Sequence, residues 1–377
     1  MRTGYKWICK PEIFKLINHY QQSLNRRLII KRKSRGEFVA ITFKNLELVS
    51  VLGEAAGFKT GLTLDKNEII NLFPNNSSFR DSLSAPDESY IRVYSEDVDE
   101  MFAHILFKLG SIETPGCIPS TIVLYHKYKD TPELSGIYIK VMDLWNIHLK
   151  RALDKTAKEG GNSLDPTPFM TECAEKFGRI GLDMSMEIIH GNGDDMHRRL
   201  SKIRRVDWSN EIALKELFES ESLESQYGNF IDQRFIDFLQ RNTDKLNEMH
   251  WRKFEGLTAE YFTREGYDVE LGPGRNDGGI DVRVWKENRN AGEPPLILIQ
   301  CKRYKNKIDR TVVKALWADM NWEKAESGLI VTTSGISPGG LSDCHARGYD
   351  ISEANKTTIA QWLEKMRTPG NGVFMGK

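Results

Sequence analysis

The chain has 377 residues, of which 40% are hydrophobic and 28% are charged, with 53 basic and 53 acidic side chains. This length allows two or three domains of a globular protein. A net charge of zero argues against a chain that coats nucleic acid through bulk charge but leaves room for a local basic surface. No apolar run reaches the length of about 18 residues that a membrane span needs.

The start of the chain and the cysteines predict a cytoplasmic protein. The first residues, MRTGYKWICKPEIF, lack the apolar segment of a secretory signal. The five cysteines are far apart, odd in number and never form CxxC, which favours reduced thiols. The motif HGNGDDMH places His190 and His197 at a spacing that fits no common zinc pattern, so we interpret it as a polar loop.

Residues 1–110 are predicted to form a mixed α/β region. PEIFKLINHYQQSL has the apolar spacing of a helix, and RRLIIKRKSRGEFVAITF predicts two short strands around a turn. The dense basic run in this second stretch is either a solvated hairpin or a ribbon that contacts phosphates. Its members are Arg26, Arg27, Lys31, Arg32, Lys33 and Arg35.

Residues 111–245 are predicted to be mostly helical. Within them IPSTIVLYHKY is interpreted as a strand, and the helical part beginning near Tyr138 is expected to break at EGGNSLDPTP and again at HGNGDDM. A second basic cluster, RRLSKIRR, is expected to lie on a helix with solvated side chains. The first 245 residues thus predict an α-rich region of unknown fold and purpose.

Residues 246–377 begin with an amphipathic helix. In MHWRKFEGLTAEYFTREG, four apolar residues line one side at helical spacing, and Gly266 is expected to end the helix. The apolar residues are Phe254, Leu257, Tyr261 and Phe262.

The remaining elements predict a central sheet flanked by helices. YDVEL, IDVRVW, LILIQCK and SGLIVTTS are predicted strands, and DRTVVKALWADMNWEKA is a helix with Asp309 as its N-cap. YDI and KTTIAQWLEKM add a last strand and helix. The order is α-β-β-β-α-β followed by β-α.

Polar residues gather at one end of the buried strand LILIQCK. Because side chains alternate along a strand, Gln300 and Lys302 share one face and Cys301 lies on the other. Asp281 begins the preceding strand and can lie across from this end, and a helix packed on the sheet can bring Glu255 to the same point. Burying charged groups without partners is costly, so a cluster of them at the end of a buried strand needs an explanation. We therefore predict a functional site at this point.

The cluster has the chemistry of a divalent-metal site. We predict that Asp281, Glu255, Gln300 and the backbone carbonyl of Cys301 bind Mg²⁺, or Mn²⁺ in its place, through hard oxygen ligands. The metal would polarise a scissile phosphate and activate water, and Lys302 would orient that water or stabilise developing charge. The structural alternatives are a solvated helix carboxylate at Glu255 and an ordinary ion pair between Asp281 and Lys302.

A basic segment follows the strand and suits a polyanionic partner. From Lys302 to Lys314 it contains six basic residues and a single acidic one, Asp309. Such a patch can follow a phosphate backbone despite the zero net charge. The candidate DNA-binding residues are Arg303, Lys305, Lys307, Arg310 and Lys314.

Three stretches of this region resemble the Mrr-type restriction endonucleases, a branch of the PD-(D/E)XK nucleases. They are FEGLTAEYFTREGYDVELGPGRNDGGIDVRVW, LILIQCKRYKNKIDRTVVKAL and GLIVTTSGIS. The resemblance implies a restriction-endonuclease-like central mixed sheet flanked by helices. It also implies that Asp281 binds metal, that Lys302 is the catalytic lysine and that Glu255 is the helix carboxylate near the metal. Gln300 stands where many relatives in the superfamily carry Glu.

The resemblance implies a function in bacterial defence, since Mrr-like proteins cut foreign or modified DNA. We therefore expect an Mg²⁺-dependent DNA endonuclease with duplex DNA as its partner, and a homodimer because cutting two strands often needs two active sites. The neutral Gln300 motivates an alternative, a DNA-binding protein with a nuclease fold and weak or no catalysis. A repair or junction-resolving nuclease shares the chemistry, and the sequence leaves DNA and RNA open as substrates.

Two segments depart from the family pattern without touching the predicted site. The connection KENRNAGEPP between the two site strands is longer than the family minimum. PGGLSDCHARG is rich in glycine where the family has a helix rich in small residues.

Overall fold

The computed structural model describes residues 40–159, 165–201, 203–274 and 279–367. The predicted helix PEIFKLINHYQQSL and the first basic run lie outside the described residues. No helix in the described ranges is long and apolar enough to cross a membrane. The described cysteines that are free are Cys117, Cys173, Cys301 and Cys344.

The described N-terminal part is rich in helices, as predicted. β1 (Ala40–Lys44) pairs antiparallel with β3 (Tyr90–Tyr94), and β2 (Leu62–Thr63) pairs parallel with β4 (Ile212–Ala213). The helices that accompany these strands are α1 (Asn45–Thr60), α2 (Lys66–Asn71), α3 (Ser78–Leu83) and α4 (Ser95–Lys108).

Three further helices follow and form a core of their own. They are α5 (Ser120–Tyr128), α6 (Pro132–Glu159) and α7 (Thr167–Arg198). Tyr138, Val141 and Phe169 are buried between them.

The prediction of a strand for IPSTIVLYHKY is wrong, because this stretch forms α5. Tyr128 is buried in the core of the three helices, and its hydroxyl donates to Glu187 on α7 at 2.7 Å. Tertiary packing here outweighs the strand preference of a β-branched run.

The predicted break at HGNGDDM is also wrong, because α7 continues through it. The helix is interrupted instead at Gly178, whose φ of 63° suits a residue without a Cβ. His190 and His197 consequently lie on a helix and not in the polar loop that we expected, and His197 is buried.

The second basic cluster differs from the prediction because α7 ends at Arg198. The side chains of Arg204 and Arg205 are only 14% and 20% exposed, and they form ion pairs with Asp207 and Asp194. Arg204 and Arg205 therefore lie beyond the helix as partly buried, ion-paired side chains and not on a solvated helix face.

Two short helices lead into the C-terminal region, which contains the predicted five-stranded mixed sheet. The helices are α8 (Leu214–Glu219) and α9 (Gln233–Arg241), followed by a 3₁₀ turn (Thr243–Asn247). The strands, in spatial order, are β5 (Asp268–Leu271), β6 (Val282–Trp285), β7 (Ile297–Lys302), β8 (Ser327–Thr332) and β9 (Ile351–Ala354). β5, β6 and β7 are antiparallel, whereas β8 and β9 continue parallel to β7.

Helices cover both faces of this sheet, which confirms the predicted architecture. They are α10 (Trp251–Arg264), α11 (Arg310–Glu323), α12 (Pro338–Arg347) and α13 (Lys356–Met366). α10 and α13 pack on the face that carries Val284 and Ile299, and α11 packs on the face that carries Leu298. Asp309 caps α11 as predicted, because its side chain accepts the amides of Thr311 and Val312. The glycine-rich segment PGGLSDCHARG does form a helix, α12.

Candidate active site

The central strand β7 presents its side chains alternately, as the sequence predicts. Ile299 and Cys301 face α10, and the Cys301 Sγ lies 3.5 Å from the Thr258 Oγ1. Gln300 and Lys302 therefore belong to the opposite face, which also carries Leu298.

Asp281 is fixed at the end of β7 by two backbone hydrogen bonds. Its amide donates to the Ile299 carbonyl at 3.0 Å, and its Oδ2 accepts the amide of Cys301 at 2.6 Å. The pairing of Val282 with Ile299 places Asp281 next to Gln300 across the ladder. The strand pairing that the sequence predicts thus brings this buried carboxylate to the end of QCK.

Glu255 reaches the same point from α10 and is only 5% exposed, so the alternative of a solvated helix carboxylate is wrong. Its Oε2 accepts a hydrogen bond from Arg252 Nη1 at 2.8 Å. The pKa of Glu255 is raised to about 7, first because burial disfavours the charged form and further because the Asp281 charge is close, while Arg252 opposes the rise. The two carboxylates are therefore near enough to repel each other.

Gln300 is buried beside these carboxylates, and only the nitrogen of its side-chain amide makes a hydrogen bond. Its Nε2 donates to the Gly279 carbonyl at 2.9 Å, whereas its Oε1 is buried without a partner in the described part of the chain. Gly279 has a φ of 95°, and a Cβ at that position would come within 3.1 Å of the Gln300 Nε2. The glycine is thus required for this close approach.

Lys302 closes β7 and is half-buried. No ion pair within 4.0 Å joins Lys302 to an acidic group of the described residues, so the ordinary ion pair with Asp281 is not present. The ammonium is consequently available to a ligand.

A pocket of about 340 Å³ joins the predicted residues. Of the residues predicted for the site, Glu255, Asp281 and Lys302 line it, whereas Gln300 is not among its lining residues. Its lining includes Trp251, Glu255, Asp281, Cys301, Lys302 and Tyr304.

Sequence reasoning missed three residues of this site. Trp251 and Tyr304 line the pocket, and Arg252 holds Glu255. The position of Arg252 three residues before Glu255 on a helix is a signal that could have revealed the ion pair. No comparable pattern in the sequence marks Trp251.

The oxygen atoms of this site suit a hard cation, although they do not come from a cluster of acidic side chains alone. Among the residues with described positions, no group of three or more His, Cys, Asp and Glu side chains is arranged to hold a metal ion. The set here is two carboxylates, an amide oxygen and a backbone carbonyl, and oxygen ligands of these kinds suit Mg²⁺. The repulsion between Glu255 and Asp281 and the partnerless Gln300 Oε1 both fit a bound cation.

The basic residues after β7 fall into two groups: some are exposed to solvent, and others bond to groups within the protein. Lys305 and Lys307 are exposed in the connection between β7 and α11. Arg303 is half-buried, and its Nη1 donates to the Asn247 carbonyl at 2.5 Å.

Two of the predicted DNA-binding residues are paired within the protein. Arg310 lies 4.0 Å and Lys314 3.4 Å from Asp343 on α12. Asp343 therefore partly offsets the charges of Arg310 and Lys314, whereas Lys305 and Lys307 are exposed in the connection after β7.

Comparison with known proteins confirms the resemblance for the C-terminal region. Residues 246–363 match the Mrr catalytic family, described as restriction endonuclease. An uncharacterized protein, y4cE, from Sinorhizobium fredii is 30% identical over 99 residues, which are 26% of this chain and 25% of that protein. The type IV methyl-directed restriction enzyme EcoKMrr from Escherichia coli is 26% identical over 99 residues, 25% of this chain and 32% of that enzyme.

The match therefore spans only a quarter to a third of these relatives. The MspJI restriction endonuclease, solved in complex with a 27-mer oligonucleotide, shows 16% identity and a TM-score of 0.28, over 49% of this chain and 42% of that one. The family match shows that residues 246–363 carry an Mrr-type restriction endonuclease domain.

Proposed function

We propose that this chain, through its Mrr-type domain, is a metal-dependent endonuclease that hydrolyses phosphodiester bonds of duplex DNA and restricts foreign or modified DNA. The observation that carries the proposal is the convergence of Glu255, Asp281 and Lys302 on one pocket within the region that matches restriction endonucleases. The description of EcoKMrr as a methyl-directed restriction enzyme supports the restriction of modified DNA.

The residues that would hold the metal are Asp281, Glu255, the Gln300 Oε1 and the backbone carbonyl of Cys301. When bound, Mg²⁺ or Mn²⁺ supplies polarisation of the scissile phosphate and a more acidic water. The protein contributes preorganisation, because the Cys301 amide fixes Asp281 and Arg252 fixes Glu255 before a substrate arrives.

Lys302 supplies positive charge at the pocket. Its ammonium carries three donors and no acceptor, so it can hold a phosphate oxygen or orient the attacking water. As negative charge grows on the phosphate during the reaction, this fixed cation stabilises the transition state more than the ground state. Lys302 is therefore a catalytic residue in this proposal.

The surface beside the pocket would hold the DNA backbone. Lys305 and Lys307 are exposed next to Tyr304, whose side chain lines the pocket and is 53% exposed. Lysines placed in this way contact phosphates without regard to base sequence, and an exposed aromatic ring can stack on a base.

The experiment is cleavage of matched methylated and unmethylated plasmids by the parent and by Lys302→Ala. With Mg²⁺ we expect the parent to cut the plasmid and the variant to cut it at least about a hundredfold more slowly. The reason is that the negative charge that develops on the phosphate in the transition state would lose the positive charge of Lys302. EDTA should abolish cleavage, and a preference for the methylated plasmid would establish modification dependence.

Lys286→Ala is the matched control, because Lys286 is an exposed lysine in the connection after β6. It should cut like the parent. Equal rates for Lys302→Ala and the parent, or cleavage that survives EDTA, would contradict the proposal.

A second candidate is a DNA-binding protein that keeps the fold without efficient chemistry. The neutral Gln300 favours it, because a site with fewer anionic ligands binds a cation more weakly. DNA binding without cleavage over a wide range of Mg²⁺ and Mn²⁺ concentrations would select this candidate.

A further inference from the structure

The pocket at the end of β7 combines buried carboxylates with aromatic walls. Glu255 and Asp281 are each 5% exposed, whereas Tyr304 is 53% exposed and Trp251 is half-buried. The volume of about 340 Å³ falls at the lower end of the range for pockets that take small molecules. A phosphate group is smaller than such ligands, so the pocket has room for a larger part of a nucleotide.

The two aromatic side chains do not serve the packing of the protein interior. Trp251 and Tyr304 belong to none of the apolar cores of the described chain, whereas the half-buried Trp317 packs against one of them. The Trp251 Nε1 and the Tyr304 hydroxyl also have no hydrogen-bond partner among the described residues. Both rings therefore offer apolar surface and a polar group to a ligand in the pocket.

The Trp251 ring packs against fixed parts of the backbone. Its centroid lies 5.2 Å from that of the His250 ring, and the His250 Nδ1 caps α10 by accepting the amide of Arg252 at 3.2 Å. Gly274 has a φ of 85°, and a Cβ at that position would lie 3.2 Å from the Trp251 Cη2. Because these neighbours restrict the ring before a ligand arrives, little side-chain freedom is lost on binding.

We propose that this pocket receives a nucleobase turned out of the DNA stack, and that Trp251 and Tyr304 hold the base by stacking on it. The inference rests on the proposed function, because it concerns the nucleotide next to the phosphate that is cut. In a regular duplex the bases are stacked inside, and the two rings would meet only the backbone. Turning one base outward brings its flat face within reach of the rings while its phosphate stays near Lys302.

The cost of unstacking determines which DNA this pocket favours. Stacking on an aromatic side chain strengthens binding of a base by roughly five- to a hundredfold and tolerates any base. Removing a paired base from the duplex opposes this gain, and the cost is least for a base that has no pairing partner. The pocket should therefore favour DNA in which one nucleotide is already unpaired.

The test is fluorescence anisotropy on the full chain, without divalent metal, using two labelled duplexes that differ only in one central unpaired nucleotide. The parent should bind the duplex with the unpaired nucleotide at least about tenfold more tightly than the paired one. Trp251→Ala and Tyr304→Ala should each reduce this ratio at least about fivefold, because each removes a stacking surface. Trp251→Phe retains a ring and should keep most of the preference.

Trp322→Ala and Tyr90→Ala are the matched controls, because these rings are 87% and 71% exposed on α11 and β3 and do not line the pocket. Both should keep the parent's preference. A parent that binds the two duplexes with equal affinity, or a Trp251→Ala variant that keeps the parent's ratio, would overturn the inference.

Plasmid cleavage by the parent in Mg²⁺ separates this inference from the proposed function. A parent that cuts the plasmid but shows no preference for the unpaired nucleotide would overturn the inference alone. A parent with a preference that depends on Trp251, but without cleavage, would support the base pocket and contradict the proposed nuclease activity.

Discussion

At the scale of single residues, Gln300 is the least usual member of the site. Its amide nitrogen is tied to the Gly279 carbonyl, and its buried Oε1 is left without a partner in the described chain. An unsatisfied buried acceptor is costly, so its retention next to two carboxylates suggests a ligand role.

Gln300→Glu tests this role. The substitution adds a third carboxylate, so we expect Mg²⁺ to bind at least about tenfold more tightly in a calorimetric titration, because ligand charge raises affinity for a hard cation. Gln361→Glu, at an exposed position on α13, should leave the affinity unchanged. Unchanged affinity for Gln300→Glu would show that this side chain does not reach the metal.

His197 gives a prediction about pH and stability. It is buried, its Nε2 lies 2.8 Å from the Ser111 hydroxyl, and its pKa is held well below the usual value, first by burial and then by the charge of Lys59. Because the unfolded chain takes up a proton near pH 6.5 and the folded chain does not, this histidine's contribution to stability is lost as pH falls below about 6.5.

The free energy of unfolding should therefore fall on acidification from pH 7.5 to 5.5 more steeply in the parent than in His197→Gln, by up to about 1.4 kcal/mol per pH unit below 6.5. Urea unfolding at the two pH values measures the difference. His345→Gln, an exposed histidine on α12, should keep the parent's slope. Parallel slopes for the parent and His197→Gln would contradict the assignment of a neutral buried imidazole.

At the scale of elements, the connection from β7 to α11 decides which lysines can reach DNA. Lys305 and Lys307 are exposed, whereas Arg310 and Lys314 lie within 4.0 Å of Asp343. Ion pairs within the protein offset the positive charge that a phosphate would meet.

Lys305→Ala and Lys307→Ala should each weaken binding of a labelled duplex and lower the slope of log affinity against log salt by about one. Arg310→Ala and Lys314→Ala should change that slope less. Fluorescence anisotropy at several salt concentrations without divalent metal measures all four. Equal slopes for the four variants would mean that the pairing with Asp343 is irrelevant to DNA binding.

The sequence predicted the elements of the nuclease region well because each has a strong local signal. α10, α11 and α13 have clear apolar stripes, and β7 and β8 are apolar runs. Local signals failed in α5, where a β-branched run is held as a helix by packing on α7, and in α7, where the interruption falls at Gly178. The helical state of α5 depends on contacts between residues far apart in sequence.

The site itself was predictable in part. Strand alternation and the order of the strands brought Asp281 next to the end of QCK. The burial of Glu255, its bond to Arg252 and the contact of Gln300 with Gly279 depend on the packing angle of α10 and on the turn before β6, which no spacing in the sequence encodes.

At the scale of the whole molecule, the nuclease region is joined to the N-terminal part by a shared core and by bonds at the end of α13. Gln233 on α9 donates to the Met366 carbonyl and accepts from Arg264 on α10, and Arg367 forms an ion pair with Glu113. The described residues on both sides of these bonds pack into one apolar cluster.

The most direct test of the central claim, that one metal-dependent active site lies at the end of β7, is the rate of plasmid cleavage by Asp281→Asn in Mg²⁺. We predict a loss of at least about a hundredfold, or about 2.7 kcal/mol of transition-state stabilisation. Asp350→Asn, an exposed aspartate before β9, should retain the parent's rate. Cleavage by Asp281→Asn at the parent's rate would contradict the claim.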